Sequence, residues 1–253
     1  MPPDRRLIQR PLRLVLRDLR DETRAFRSLA APLLDPNTIG QLDDTIVQLE
    51  NIQYSSSNTP VSWVLSDRFP LKTVPSTGEY RVGGGDIRNV IAEISFVWHV
   101  TPRPANHGRL SREIEVTGDA STRILVRDVE TNEELAMWRM EVATEGAPGA
   151  AFHVQIRGQN PTLPFPNWLR VPRFPTLILT PASAMEFVLA ELFQDRWPEE
   201  FAHGSRYKDD WREIQRRRIR AWLGQQTEAL RDHEKNSPLL VLKSLTPDAD
   251  RFT

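Results

Sequence analysis

Between residues 93 and 100 the chain reads "EISFVWHV", and its side chains change character at almost every step. In an extended strand Ile94, Phe96, Trp98 and Val100 fall on one face, and Glu93, Ser95, Val97 and His99 on the other. A helix would spread the four bulky apolar residues around its circumference, whereas a strand with one buried face gathers them. The pattern recurs in "RILVRDVETNEELAMWRMEV", which predicts a hairpin turning around Thr131, Asn132 and Glu133. Its second arm places Ala136, Trp138, Met140 and Val142 on one face and Met137, Arg139 and Glu141 on the other. "TIVQLENIQY", "PVSWVL", "REIEV" and "AFHVQI" are further strand candidates, and their short connections favour an antiparallel meander with one buried face.

Helical segments bracket this region. Residues 11–31 predict one helix, with Pro11 at a first-turn position and Pro32 as the stop. Near the other end, Thr180 before Pro181, or Ser183 with Glu186, marks a helix start. Met185, Val188, Leu189, Leu192 and Phe193 then repeat at helical spacing as a core face. A second helix is expected over roughly 206–234. Between 161 and 181 lie six prolines, a density that excludes helix and interior strand and predicts an extended surface crossover. The expectation is a single α+β domain over 1–253. It comprises an amphipathic helix within 1–34, a largely antiparallel sheet over 40–160, the proline-rich crossover over 161–181, and C-terminal helices with a tail over 182–253.

Composition narrows the function classes. Hydrophobic residues make up 39% and charged residues 26% of 253, the balance of a globular chain, and the formal net charge is −1. Attraction to an acidic partner must therefore come from a local patch. The absence of cysteine removes disulfides, thiolate metal ligands and a cysteine nucleophile, and fits a cytoplasmic protein. No window has the unbroken apolar length of a membrane span.

Motifs for catalysis are weak. The glycines at 83–85 are followed by an aspartate and a strand pattern, with no Gly-Lys-Ser/Thr, so they read as a turn rather than a phosphate loop. The five histidines have none of the close spacings that bring two ligands to one metal, and no metal or cofactor is expected. His99 and His153 both fall in strand candidates, and His99 shares a face with Glu93. If the strands were neighbours, His99, His153 and Glu93 could assemble a hydrolase or nuclease site, although packed, hydrogen-bonded histidines account for the same pattern. Phe165, Trp168 and Phe174, interleaved with prolines and with Arg170 and Arg173, could form a stacking platform or simply close the core edge.

The most specific charge pattern is the arginine series at 10, 13, 17, 20, 24 and 27, with gaps alternating three and four. At about 100° per residue, Leu12, Val15, Leu16, Leu19, Phe26 and Ala30 form an apolar sector. The arginines fill the next sector, and Asp18, Asp21 and Glu22 lie beyond it. Pairs within the helix contribute only about 0.2–0.5 kcal/mol each. The stripe therefore needs water, acids elsewhere on the fold, or a partner. The second helix carries a comparable basic face at Arg216, Arg217 and Arg220, against an apolar side of Trp211, Ile214, Ile219, Trp222 and Leu223. Arg218 points into that apolar side, so its stem should pack on indole and its head should snorkel or meet a buried acid.

These readings lead to a non-enzymatic binding or assembly protein. It would present Arg10, Arg13, Arg17, Arg20, Arg24, Arg27, Arg216, Arg217 and Arg220 to an acidic surface, on another protein or on a second copy of the chain, with nucleic acid as a further possibility.

Overall fold

The computed structural model describes residues 12–78, 88–103, 112–142, 152–157, 174–177, 180–203 and 207–232. In chain order the elements are β1 (Arg13–Val15), α1 (Leu16–Ala30), α2 (Ile39–Tyr54), β2 (Val61–Leu65), β3 (Leu71–Lys72), β4 (Val90–Arg103) and β5 (Glu113–Asp128). They continue with β6 (Glu134–Val142), β7 (Phe152–Arg157), β8 (Phe174–Pro175), α3 (Pro181–Leu192), α4 (Arg196–His203) and α5 (Tyr207–Asp232). The class is α+β, with one antiparallel sheet in the order β2-β4-β5-β6-β7-β8. β3 extends the β2 edge along β4, and β1 extends the β6 edge along β5. From β4 to β8 the path is a meander.

The alternation that opens the sequence sets which face is covered. Trp63 meets Phe96 at 4.7 Å and Trp98 at 6.0 Å between ring centroids, both edge-on. Trp138 packs on Phe187 of α3 at 5.8 Å, and Phe152 stands perpendicular to Trp222 of α5 at 5.0 Å. Phe26 of α1 lies between Trp197 and Trp211. Helices thus cover the face bearing Trp98, Trp138 and Phe152, while the face bearing Ser95, Arg123 and Arg139 has no described helix against it. The β4–β5 ladder is interrupted once. Trp98 pairs with Ala120 and Val100 with Val116, so Thr117, Gly118 and Asp119 bulge opposite His99. A Cβ on Gly118 would lie 2.9 Å from the Cβ of His99, and the bulge therefore requires glycine there.

Several boundaries differ from the sequence reading. The expected helix over 11–31 begins only at Leu16, because residues 13–15 pair with Glu113–Glu115 as an edge strand. Leu12, Leu14 and Leu16 are buried while Arg13 and Val15 are half-exposed, a period-two pattern concealed within the helical one. "TIVQLENIQY" is not a strand but the greater part of α2. Leu42, Ile46, Leu49 and Ile52 recur at helical spacing, and β-branched content had obscured it. Outside β1 the sheet therefore starts at Val61 rather than near residue 40. "REIEV" and "RILVRD" are one strand, β5.

At α3 the N-cap is Thr180, and the capping box closes with Ser183 rather than running from Ser183 to Glu186. α4 is an additional short helix ahead of α5. The triple glycine, Phe165, Trp168, Arg170, Arg173 and most of the proline-rich segment lie outside the described residues; Phe174 and Pro175 form the two-residue edge strand β8.

Candidate binding surface

The arginine stripe of α1 meets acids of its own chain. Arg27 forms a two-pronged pair with Asp43 of α2 at 2.9 and 3.1 Å, and Arg24 pairs with Glu50 one helical stretch further along α2. Arg20 donates to Asp21 and, at 3.2 Å, to Gln53 of α2. Arg13, on β1 rather than on the helix, shares Glu115 with Arg103, at 3.2 and 2.9 Å. Burial alone would raise the Glu115 carboxyl, but the hydrogen bonds from Arg103 and Arg13 outweigh it and hold the group below its ordinary range. Arg17 is exposed and also engaged, and Arg10 lies outside the described residues. The expected edge of unmet guanidinium groups is in this way largely neutralised, chiefly by α2.

The acidic sector of α1 turns inward instead. Glu22 is fully buried and accepts from Thr180 Oγ1 at 2.5 Å, from Gln215 Nε2 at 2.7 Å, and from Arg218. Arg218 is 3% exposed, so its head has found the buried acid that its position among Trp211, Ile214 and Trp222 demanded. Asp18 takes Arg217 beside this pair. Glu186 of α3 accepts from Trp211 Nε1 at 3.2 Å. Burial pushes its carboxyl up to about 7, the Trp211 hydrogen bond opposes that rise, and the nearby Glu22 carboxylate adds to it. This node clamps α5 against α1 and α3 and so fixes which side of α5 faces outward.

On that outward side Arg212, Arg216 and Arg220 follow at i, i+4 and i+8, each exposed, with roots about 6 Å apart along the axis. Arg212 lies over the Phe201 ring at 5.3 Å. Arg216 and Arg220 form no ion pair with any described residue, and Arg217, the third member of the expected basic face, is held by Asp18. Like charges at i, i+4 each disfavour the helix by roughly 0.2–0.5 kcal/mol, so this row costs stability in the isolated chain. Leu223 does not join the apolar side as the sequence predicted but is 48% exposed. At about 100° per residue, Leu223 and the exposed Leu230 share an arc of roughly 80° with Arg212, Arg216 and Arg220.

The histidine alternative does not assemble. His99 is exposed on β4 and shares a 2.9 Å hydrogen bond between its Nδ1 and Ser62 Oγ. His153 is 2% exposed on β7, three strands away, or about 14 Å at the usual interstrand spacing. It meets Glu141 at 3.2 Å, not Glu93. Glu93 is held by Lys72 at 2.7 Å and Arg127 at 3.1 Å, whose hydrogen bonds outweigh burial and lower its pKa. Strand order, which the sequence leaves open, separates the three groups. Among the described residues no group of three His, Asp or Glu side chains could hold a metal ion, and no helix is long and apolar enough to cross a membrane.

No protein-family model, curated protein or solved structure matches this chain.

Proposed function

We propose that the protein is a non-enzymatic binding or assembly protein that docks an acidic protein surface on the outward face of α5. The observation that carries this reading is the exposed row Arg212, Arg216 and Arg220, with no acid among the described residues paired to Arg216 or Arg220, running into exposed Leu223. The basic stripe of α1 supports it by contrast, because there the fold supplies an acid for each of Arg13, Arg20, Arg24 and Arg27. Exposed leucines that continue the same arc beyond the guanidinium groups favour a protein partner over a phosphate backbone, which offers nothing to apolar side chains.

The test is binding of a fluorescent amphipathic peptide rich in glutamate and leucine, read by anisotropy beside a duplex DNA of equal charge. Arg216→Glu with Arg220→Glu should remove peptide binding, and Leu223→Asp should weaken it, with the far-ultraviolet spectrum unchanged. Peptide binding that survives the double reversal would refute the reading. Preferential binding of the DNA, with a steep loss on adding salt, would replace the protein partner by nucleic acid.

A further inference from the structure

The sheet face that no described helix covers carries a second arginine arrangement, independent of α5. Strand register sets Ser95 opposite Arg123 and Arg123 opposite Arg139, and Ser121 lies two residues before Arg123 on the same face. Directly opposed side chains have their Cβ atoms about 5 Å apart, and like charges so placed destabilise the pairing. Arg139 is compensated by Glu141, 2.8 Å from its Nη2. The other oxygen of Glu141 faces Gln155 Nε2 at 2.8 Å and His153 Nε2 at 3.2 Å, so that carboxylate is occupied on its far side from Arg123. Arg123 has only the Met137 thioether, 3.2 Å from its Nε, and no carboxylate within ion-pair distance among the described residues. A thioether is a weak acceptor and carries no charge.

Between these residues lies a cavity of about 450 Å³, open to solvent, in the size range of small-molecule sites. Arg123, Arg139, Ser95 and Ser121 line it together with Val97 and Met137. Ser95 is 8% exposed, and neither its hydroxyl nor that of Ser121 has a hydrogen-bond partner among the described residues. Four donor side chains, one of them an uncompensated guanidinium, therefore converge on one polar opening beside an apolar strip.

We propose that this cavity binds a small phosphomonoester, its phosphoryl group seated between Arg123 and Arg139 with Ser95 and Ser121 as the remaining donors. A dianion supplies the counter-charge that Arg123 lacks among the described residues. Its three terminal oxygens match two planar guanidinium forks and two hydroxyls better than the two oxygens of a carboxylate do. The organic part of the ligand lies along Val97 and Met137, and Asp67 on the exposed rim accepts from a ligand hydroxyl.

The experiment is calorimetric titration of the full chain with inorganic phosphate and with glycerol 3-phosphate, beside succinate and sodium chloride at matched ionic strength. Both phosphates should bind saturably, glycerol 3-phosphate more tightly, and Arg123→Gln should weaken them at least tenfold. Arg231→Gln, near the end of α5, should leave them unchanged. Should Arg123→Gln fail to fold, Arg123→Lys serves the same purpose, because it keeps the charge and loses the planar fork. The proposal is overturned if neither phosphate binds saturably, if succinate or chloride reproduces the heat, or if Arg123 variants bind as the parent does.

Discussion

Glu22 and Arg123 each sit within a regular element with neighbours of fixed register, and their surroundings are opposite. Glu22, at the junction of α1, α3 and α5, has a guanidinium, an amide and a hydroxyl turned toward it. Arg123, on the sheet face that no described helix covers, has a thioether on one nitrogen and another arginine across the ladder. A buried charge with every partner supplied belongs to the fold: removing one partner exposes the full desolvation cost of the other. A charge left uncompensated on a cavity floor contributes nothing comparable to the fold, and an external ligand can satisfy it. Residue type alone does not separate the two cases; the count of partners does.

The sharpest way to break this comparison is to remove one partner at the junction. Arg218→Met leaves the buried Glu22 carboxyl without its guanidinium, and should cost about 3–5 kcal/mol in urea unfolding. Adding Glu22→Gln should recover most of that loss, since an amide oxygen still accepts from Thr180 and Gln215. A double variant as unstable as the single one would show that the junction is held by packing rather than by charge pairing.

The next effect depends on pH. Glu186 is partly buried and its carboxyl is pushed up to about 7, from 4.5 in the unfolded chain. Between those values the native state binds more protons than the unfolded state, so this group lowers stability as pH rises through the window and levels off above it. After allowance for its partial exposure the cost is about 2 kcal/mol at pH 8. Glu186→Gln should flatten the stability profile from pH 4.5 to 7 and raise stability at pH 8, measured by urea unfolding. A profile of unchanged slope would place the carboxyl in a more polar setting than its contact with Trp211 implies.

The contrast between junction and open face was half legible in the sequence. Alternation along 93–100 and 134–142 identifies both faces of the sheet, since Ile94, Phe96, Trp98, Trp138 and Met140 pack inward as their spacing requires. Arg218 could be marked as buried from the helical wheel, because its direction coincides with that of two tryptophans. Its partner could not: Glu22 is 196 positions away, and only the packing of α5 on α1 joins them. Cross-strand register was equally out of reach. That Arg123 faces Arg139, and that His153 faces Glu141 instead of His99, depends on strand order and on the hairpin's register. α2 departs from the strand expected over 45–54: Ile46, Val47 and Ile52 raise strand propensity, while the helical repeat that buries Leu42 and Leu49 is satisfied only against α1 and Trp63. For the same reason Glu50, which meets Arg24 of the α1 stripe, falls within the expected strand rather than the helix that carries it.

The two smallest effects differ in sign, which makes them informative as a pair. Arg24→Ala removes a half-exposed pair with Glu50, and should destabilise by about 0.5 kcal/mol, less as salt is added. Arg123→Gln also removes an arginine, yet in phosphate-free buffer it should stabilise by about 0.5 kcal/mol through relief of the repulsion with Arg139. Both follow from thermal or urea unfolding at low and moderate ionic strength, with salt narrowing each difference toward zero. If Arg123→Gln instead destabilised the free protein, its guanidinium would already be serving the fold, and the difference drawn between the open face and the helix junction would fail.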